Sequence, residues 1–263
     1  MASRASFSGL MPPIGAKGEL ARRFALARQA KADFEPDDAP ISRPHPKKML
    51  GETKSLAGRI HRHFQRIAVE KAARARTVMI LPGFATHPVR MRFMAKQLER
   101  AGHTAKRWGL GFNMGASEAS FAVLERRLLE LRRRSGEPIV LLGWSLGGIF
   151  ARELAHRHPE CVAKVITMGS PFSGNPRSNN VWRVYQFIAG HSVDNPPVEA
   201  NAAAKPPVET VALWSPRDGI VAPRCACGKP AERDRAIALR CTHLGFSSDP
   251  EAIGTVLQEL DWK

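Results

Sequence analysis

Residues 139–148 read Ile-Val-Leu-Leu-Gly-Trp-Ser-Leu-Gly-Gly, and the reading of the whole chain turns on them. Ile139–Gly143 is a short apolar run ending on glycine, the pattern of a strand buried on both faces. From Leu146 to His156 the spacing predicts a helix. Between the two lies Gly143-Trp144-Ser145-Leu146-Gly147, a Gly-x-Ser-x-Gly in the strand-to-helix context that this motif needs. The physics is steric. A serine at the apex of so tight a turn takes a strained backbone conformation, and the residues two positions away on either side must be tiny. The turn lifts the Ser145 hydroxyl above the carboxyl edge of a sheet. It also sets the N–H of Leu146 at a helix start, aimed where an oxyanion would form.

Working outward from Thr77, strands alternate with helices. Val78–Leu81 is a buried strand stopped by Pro82-Gly83, and Val89–Ala101 has helical spacing up to Gly102. Thr104–Trp108 is a short strand. Glu118–Arg134 places Phe121, Leu124, Leu128 and Leu131 on one helical face. Val162–Met168, Val208–Trp214 and Ala236–Arg240 complete the strands, and Glu251–Leu260 is a closing helix. That order predicts an α/β fold with a mostly parallel sheet of about six strands and helices on both faces. The rhythm breaks once, between Gly169 and Val208. The interval contains Trp182, Tyr185, Phe187, Ile188 and two Pro-Pro pairs. A loop of that length inside a compact domain is commonly functional, and it predicts a lid insertion at about 172–207.

A serine hydroxyl is a weak nucleophile until a base takes its proton. Of nine histidines, His243 stands in Cys241-Thr242-His243-Leu244-Gly245, past the last strand and before the last helix, where a loop would descend on the serine. His87 and His191 are the competitors, His87 following the first strand and His191 within the lid interval. The base needs a carboxylate to hold its tautomer and stabilise the imidazolium. Asp218, in Ser215-Pro216-Arg217-Asp218-Gly219-Ile220-Val221, directly follows a strand. The chain order Ser145, Asp218, His243 is the one this strand-turn-helix arrangement uses. A second oxyanion donor is available in the backbone N–H of Phe84, in Leu81-Pro82-Gly83-Phe84. Trp144, Phe172, Trp182, Phe187 and His87 are the candidate lining of a substrate pocket.

On Pro82-Gly83-Phe84, the elbow Gly143–Gly148, Asp218-Gly219-Ile220-Val221 and the His243 loop, residues 77–263 resemble an α/β-hydrolase of the esterase/lipase type, in particular short bacterial lipase-like serine hydrolases. The resemblance implies a Ser-His-Asp triad, a lid between the sixth and seventh strands of the family's numbering, and no metal or cofactor. The chain departs from the family's eight strands, because the first two are missing or replaced. Trp108-Gly109-Leu110-Gly111-Phe112-Asn113 also resembles a loop of some actinobacterial lipase-like hydrolases. The expected activity is hydrolysis of carboxylic esters with an apolar acyl chain through an acyl-serine. Acyl transfer or thioester hydrolysis with the same triad is the rival chemistry, and a non-catalytic membrane-binding protein on a hydrolase scaffold the rival class.

The 263 residues are 43% hydrophobic and 24% charged, which excludes a disordered chain and supplies a core. The apolar runs stop far short of the ~20 residues of a membrane span, and no secretory apolar stretch opens the chain. A cytoplasmic protein, peripheral to a membrane at most, is expected. The formal net charge is +16. Residues 1–76 carry 16 basic and 7 acidic side chains, a net of +9, so the first part of the chain holds more than half of the excess. Residues 1–53 thus read as a basic, Pro/Gly-rich extension, with a short helix at 18–31, and 54–263 as the hydrolase domain. A helix at 54–75 carries Leu56, Ile60, Phe64 and Ile67 in one stripe beside Arg59, Arg62 and Arg66. It suits packing on the sheet or contact with an anionic membrane. Basic residues without interleaved aromatics argue against single-stranded nucleic acid, leaving a small-molecule or lipid ester as the partner. The cysteines Cys161, Cys225, Cys227 and Cys241 admit reduced thiols, a Cys225–Cys241 disulfide, or a zinc site of Cys225, Cys227 and Cys241 with His243, which would consume the histidine of the triad.

Overall fold

The computed structural model describes Gly18, Glu19, Ala21, Ile67 and residues 43–52, 69–174 and 202–261. Six strands form one sheet: β1 (Thr77–Leu81), β2 (Thr104–Arg107), β3 (Ile139–Trp144), β4 (Val162–Met168), β5 (Glu209–Trp214) and β6 (Arg235–Ala238). Their spatial order is β2-β1-β3-β4-β5-β6, and every neighbouring pair is parallel. The helices are α1 (Arg92–Ala101), α2 (Glu118–Ser135), α3 (Leu146–Arg157), α4 (Pro223–Cys227) and α5 (Pro250–Asp261).

The inner strands are covered on both faces, which is why they read as unbroken apolar runs. The strand period of two divides their side chains between two layers. Val78, Ile80, Val140, Leu142, Ile166 and Val211 join Met94 and Leu98 of α1 and Ile253 and Val256 of α5. Met79, Leu81, Leu141 and Val165 face the other way, onto Phe121, Leu124 and Leu128 of α2 and Phe150 and Leu154 of α3. Burying one leucine stabilises by about 1.5–3 kcal/mol, whereas an exposed ion pair contributes at most about 1 kcal/mol. These two layers, not the surface charge, hold the sheet.

The chain leaves β1 for the edge strand β2 and then returns to β3 on the other side of β1. The loops after β1 and β3 therefore diverge, opening a crevice at the carboxyl ends of those strands. The elbow and the Pro82-Gly83-Phe84 turn both sit there.

The N-terminal part departs from expectation. Gly18, Glu19 and Ala21 are helical, and the rest of the helix expected at 18–31 lies outside the described residues. Residues 47–52 form a short helix that packs beside the loop after β5: Lys48 Nζ donates to the Pro216 carbonyl at 2.8 Å. Most of the helix expected over 54–75 is outside the described residues, but Ile67 and residues 69–75 are not helical. The Ala72 N–H donates to the Ala101 carbonyl at 2.8 Å, and Ile67 packs on the layer of α1 and α5. Contacts with the end of α1 replace the i to i−4 bonds that the periodicity implied. No helix among the described residues is long and apolar enough to cross a membrane.

Candidate active site

Ser145 joins β3 to α3 with φ 54° and ψ −122°, a left-handed φ held by a residue that carries a Cβ. Such a conformation costs about 1–3 kcal/mol and persists only where its surroundings impose it. They do so here through close packing. A Cβ at Gly143 would run into Gly147 O and Gly148 Cα, one at Gly147 into the Leu81 carbonyl, and one at Gly148 into Ser170 Oγ. Glycine at these positions lets α3 begin against the ends of β1 and β4. The Ser145 N–H donates to Met168 O at 2.8 Å, pinning the apex to β4.

Asp218 and His243 come together from the loops after β5 and β6. His243 Nδ1 lies 2.7 Å from Asp218 Oδ2, with Asp218 0% and His243 3% exposed. A carboxylate can only accept, so Nδ1 carries the proton and Nε2 is the basic nitrogen. The other oxygen, Oδ1, accepts the N–H groups of Ile220 and Val221, each at 2.8 Å. Burial pulls the imidazole pKa down. The Asp218 charge and hydrogen bond, with the nearby Glu52 charge, outweigh that and hold it above its ordinary value.

The pair is locked to the elbow from several sides. The indole Nε1 of Trp144 donates to the His243 carbonyl at 3.1 Å, and the two rings stand 5.8 Å apart. Arg90 donates to the Leu244 carbonyl at 3.0 Å and lies over the Trp144 ring. Ser215 Oγ donates to Cys241 O at 2.6 Å, tying the exits of β5 and β6. Gly169, at φ 57°, backs directly onto the pair: a Cβ there would fall 3.1 Å from both Asp218 Oδ2 and His243 Nδ1. Glu52, on the short helix over 47–52, is 5% exposed and accepts the N–H groups of Gly219, His243 and Leu244.

The turn after β1 closes the opposite side. A Cβ on Gly83 would lie 3.3 Å from Ser145 Cβ, so the Pro82-Gly83-Phe84 turn runs beside Ser145. Buried Asn113 fixes this turn. Its Nδ2 donates to Pro82 O at 2.8 Å, its backbone N–H donates to Thr86 O at 3.0 Å, and its carbonyl accepts from Ala85 N–H at 2.7 Å. Ala85 has φ 53°, a second left-handed residue at the same edge. The turn that carries Phe84 and the start of α3 at Leu146 thus flank Ser145.

Of the expected pocket residues, Trp144 and Phe172 are buried, at 1% and 2% exposure. Trp144 braces the histidine loop as above. Phe172 lies under the Arg152 guanidinium, 4.2 Å from its ring centre, and against Gly228. His87 caps the turn over Pro88–Met91, accepting from Val89 N–H at 3.3 Å, with its ring against Phe112. Trp182, Phe187 and His191, with most of the expected lid, lie outside the described residues.

The Cys225–Cys241 disulfide does not form, and all four cysteines are free. Cys225 packs with Val221, Ala222 and Ala226, whereas Cys241 belongs to the layer of α1 and α5, so separate apolar clusters hold them apart. The zinc reading fares no better: among the described residues no group of three or more His, Cys, Asp or Glu is placed to hold a metal ion. Sequence reasoning missed Glu52, Arg90, Asn113, Gly169 and the bracing role of Trp144. Two left a trace: Asn113 closes the quoted Trp108–Asn113 loop, and Glu52 is the one acidic residue between Asp38 and Glu70.

Comparison with known proteins agrees with this architecture. The sequence-family model of the α/β-hydrolase fold matches residues 76–188. Over 47 residues, 18% of the chain, the sequence is 45% identical to the biotin biosynthesis bifunctional protein BioHC of Teredinibacter turnerae; the chain covers only 8% of that protein's length. Among solved structures, an α/β-hydrolase enzyme from a metagenome of Mar Chica lagoon sediments, Morocco, is 22% identical with a TM-score of 0.51, covering 73% of this chain and 92% of its own. A structure of the metagenome-derived lipolytic enzymes LipS and LipT is 17% identical with a TM-score of 0.51, covering 73% of this chain and 94% of its own. With the parallel sheet and its strand order, these likenesses show that the chain adopts the α/β-hydrolase fold.

Proposed function

We propose that the protein is a serine hydrolase that cleaves carboxylic esters carrying an apolar acyl chain. The reading rests on one observation above all: a strained Ser145 at an elbow whose edge also carries a buried Asp218–His243 pair hydrogen-bonded at 2.7 Å. In this scheme Ser145 Oγ attacks the acyl carbonyl while His243 Nε2 takes its proton. The tetrahedral oxyanion is received by the N–H groups of Phe84 and Leu146. His243 then hands the proton to the leaving alcohol, and the acyl-serine is released by water, activated by His243 in turn. Asp218 keeps Nδ1 protonated and stabilises the imidazolium at each step.

An apolar acyl group is favoured by the composition around the nucleophile, Trp144, Leu146 and Phe172, and by the aromatics of the interval 172–207, which we assign as a lid. The lipolytic enzymes that share the fold are compatible with this substrate class. The test is a series of p-nitrophenyl esters from acetate to palmitate. Turnover that rises with chain length beyond acetate supports the assignment. Turnover of none of the esters by folded protein refutes it. Replacing Trp182 or Phe187 with Ala is expected to change the chain-length profile more than the melting temperature.

A further inference from the structure

Glu52 is separated by 191 residues from the histidine it touches. Its Oε1 accepts the N–H of Gly219 at 3.0 Å and that of His243 at 2.8 Å, and its Oε2 accepts the N–H of Leu244 at 2.8 Å. These three amides belong to the base itself, to the residue after it, and to the residue after the acid. One carboxylate thus bridges the two loops that deliver the acid and the base. Among the described residues no lysine or arginine pairs with it, although the carboxylate is almost wholly buried. Amides that donate to a buried anion make stronger hydrogen bonds than neutral partners do, and an unneutralised charge in such a place acts on whatever can carry the opposite charge nearby.

We propose that Glu52 is a positioning residue of the triad: its carboxylate fixes the histidine loop against the acid loop and sets a second negative charge behind the His243 imidazole. The proposal rests on the triad reading above. The other charged groups facing His243 are Asp218, from the loop after β5, and Arg90, which holds the Leu244 carbonyl across the Trp144 ring; Asp249 lies farther along the same loop. Burial opposes protonation of the imidazole, whereas Asp218 and Glu52 favour it. The short helix over 47–52 is then part of the site, although it precedes the first strand of the sheet by 25 residues.

A passive brace and a positioning anion differ in what they do to the imidazole. Glu52→Gln keeps the size but removes the charge, and sets an amide donor or an ill-aimed oxygen against one of the three N–H groups. Glu52→Asp keeps the charge on a shorter stem. His243 is titrated by NMR in the full chain with ring-labelled histidine, and the rate of fluorophosphonate labelling is measured beside it. For Glu52→Gln the expected midpoint falls by about half a unit to one unit, and labelling near neutral pH slows about tenfold or more. For Glu52→Asp the midpoint stays close to that of the native chain while labelling slows. An unchanged His243 midpoint and labelling rate in Glu52→Gln overturns the proposal, whatever the melting temperature does. Failure of both variants to fold also overturns it, by making Glu52 a folding residue. If the native chain is never labelled while the His243 midpoint still falls in Glu52→Gln, the hydrolase reading fails and the coupling of Glu52 to His243 stands.

Discussion

Gly169 shows how little room the buried Asp218–His243 pair leaves around itself. Its φ of 57° disfavours any residue with a Cβ, and the atom that alanine would add meets Phe246 at 2.8 Å as well as the Asp218 and His243 contacts at 3.1 Å. Gly169→Ala is therefore expected to lower ester hydrolysis by about tenfold or more by displacing the pair, measured as kcat/KM with a fluorescence check that the fold persists. Unchanged kcat/KM would show that the turn relaxes freely. The imidazole makes a second prediction. Because His243 must be neutral to accept the serine proton, and its pKa is held above the usual value of about 6.5, kcat/KM should rise with pH through a midpoint above that value. A midpoint at or below it would contradict the electrostatic account. Burial, reinforced by Asp249, Asp218 and Glu251, pushes the Cys241 thiol well above its ordinary range, so it stays protonated and inert. Thiol labelling of the native protein should reach half-exposed Cys227 first and spare Cys241 until unfolding.

At the scale of elements, α3 begins directly after Ser145 and carries the anchor of a distant segment. Arg152 is fully buried, and its guanidinium donates to the carbonyls of Ala202 at 2.6 Å, Ala203 at 3.3 Å, Ala204 at 2.8 Å and Glu232 at 2.9 Å. Burial lowers its pKa to about 10, against a pull upward from Glu232, which still leaves it charged at neutral pH. Arg152→Met would strand several carbonyls, each costing about 1–3 kcal/mol when buried without a donor. A fall of at least about 2 kcal/mol in unfolding free energy is expected from urea titration, and an unmoved midpoint would contradict it. The strands were legible because a parallel sheet covered on both faces leaves continuous apolar runs such as Ile139–Leu142, and Val162–Met168 agrees with its predicted bounds to the residue. The non-helical course of Ile67 and residues 69–75 was not legible, because Ile67, Ala72 and Arg76 bond to α1 and the start of β2, and no local period reports such partners.

At the scale of the molecule, the short helix over 47–52 reaches the carboxyl edge of the sheet, where Glu52 joins the loops of Asp218 and His243. The motif at Ser145 and the positions of Asp218 and His243 after strands were readable, since topology alone delivers those loops to one edge. Glu52 was not, because its isolation among basic residues marks it as unusual but a contact across 191 residues leaves nothing in either neighbourhood that names its partner. It follows that a chain beginning at Arg76 should hydrolyse esters far more slowly than the full chain even where it folds, as judged by circular dichroism; equal kcat/KM would detach the segment from the site. The central claim, that Ser145 is an activated nucleophile, is tested most directly by fluorophosphonate labelling with mass mapping of the adduct. The account predicts a single adduct on the peptide carrying Gly143-Trp144-Ser145-Leu146-Gly147 and its loss in folded Ser145→Ala. Full labelling of Ser145→Ala, or an adduct on another residue of the native chain, would contradict it.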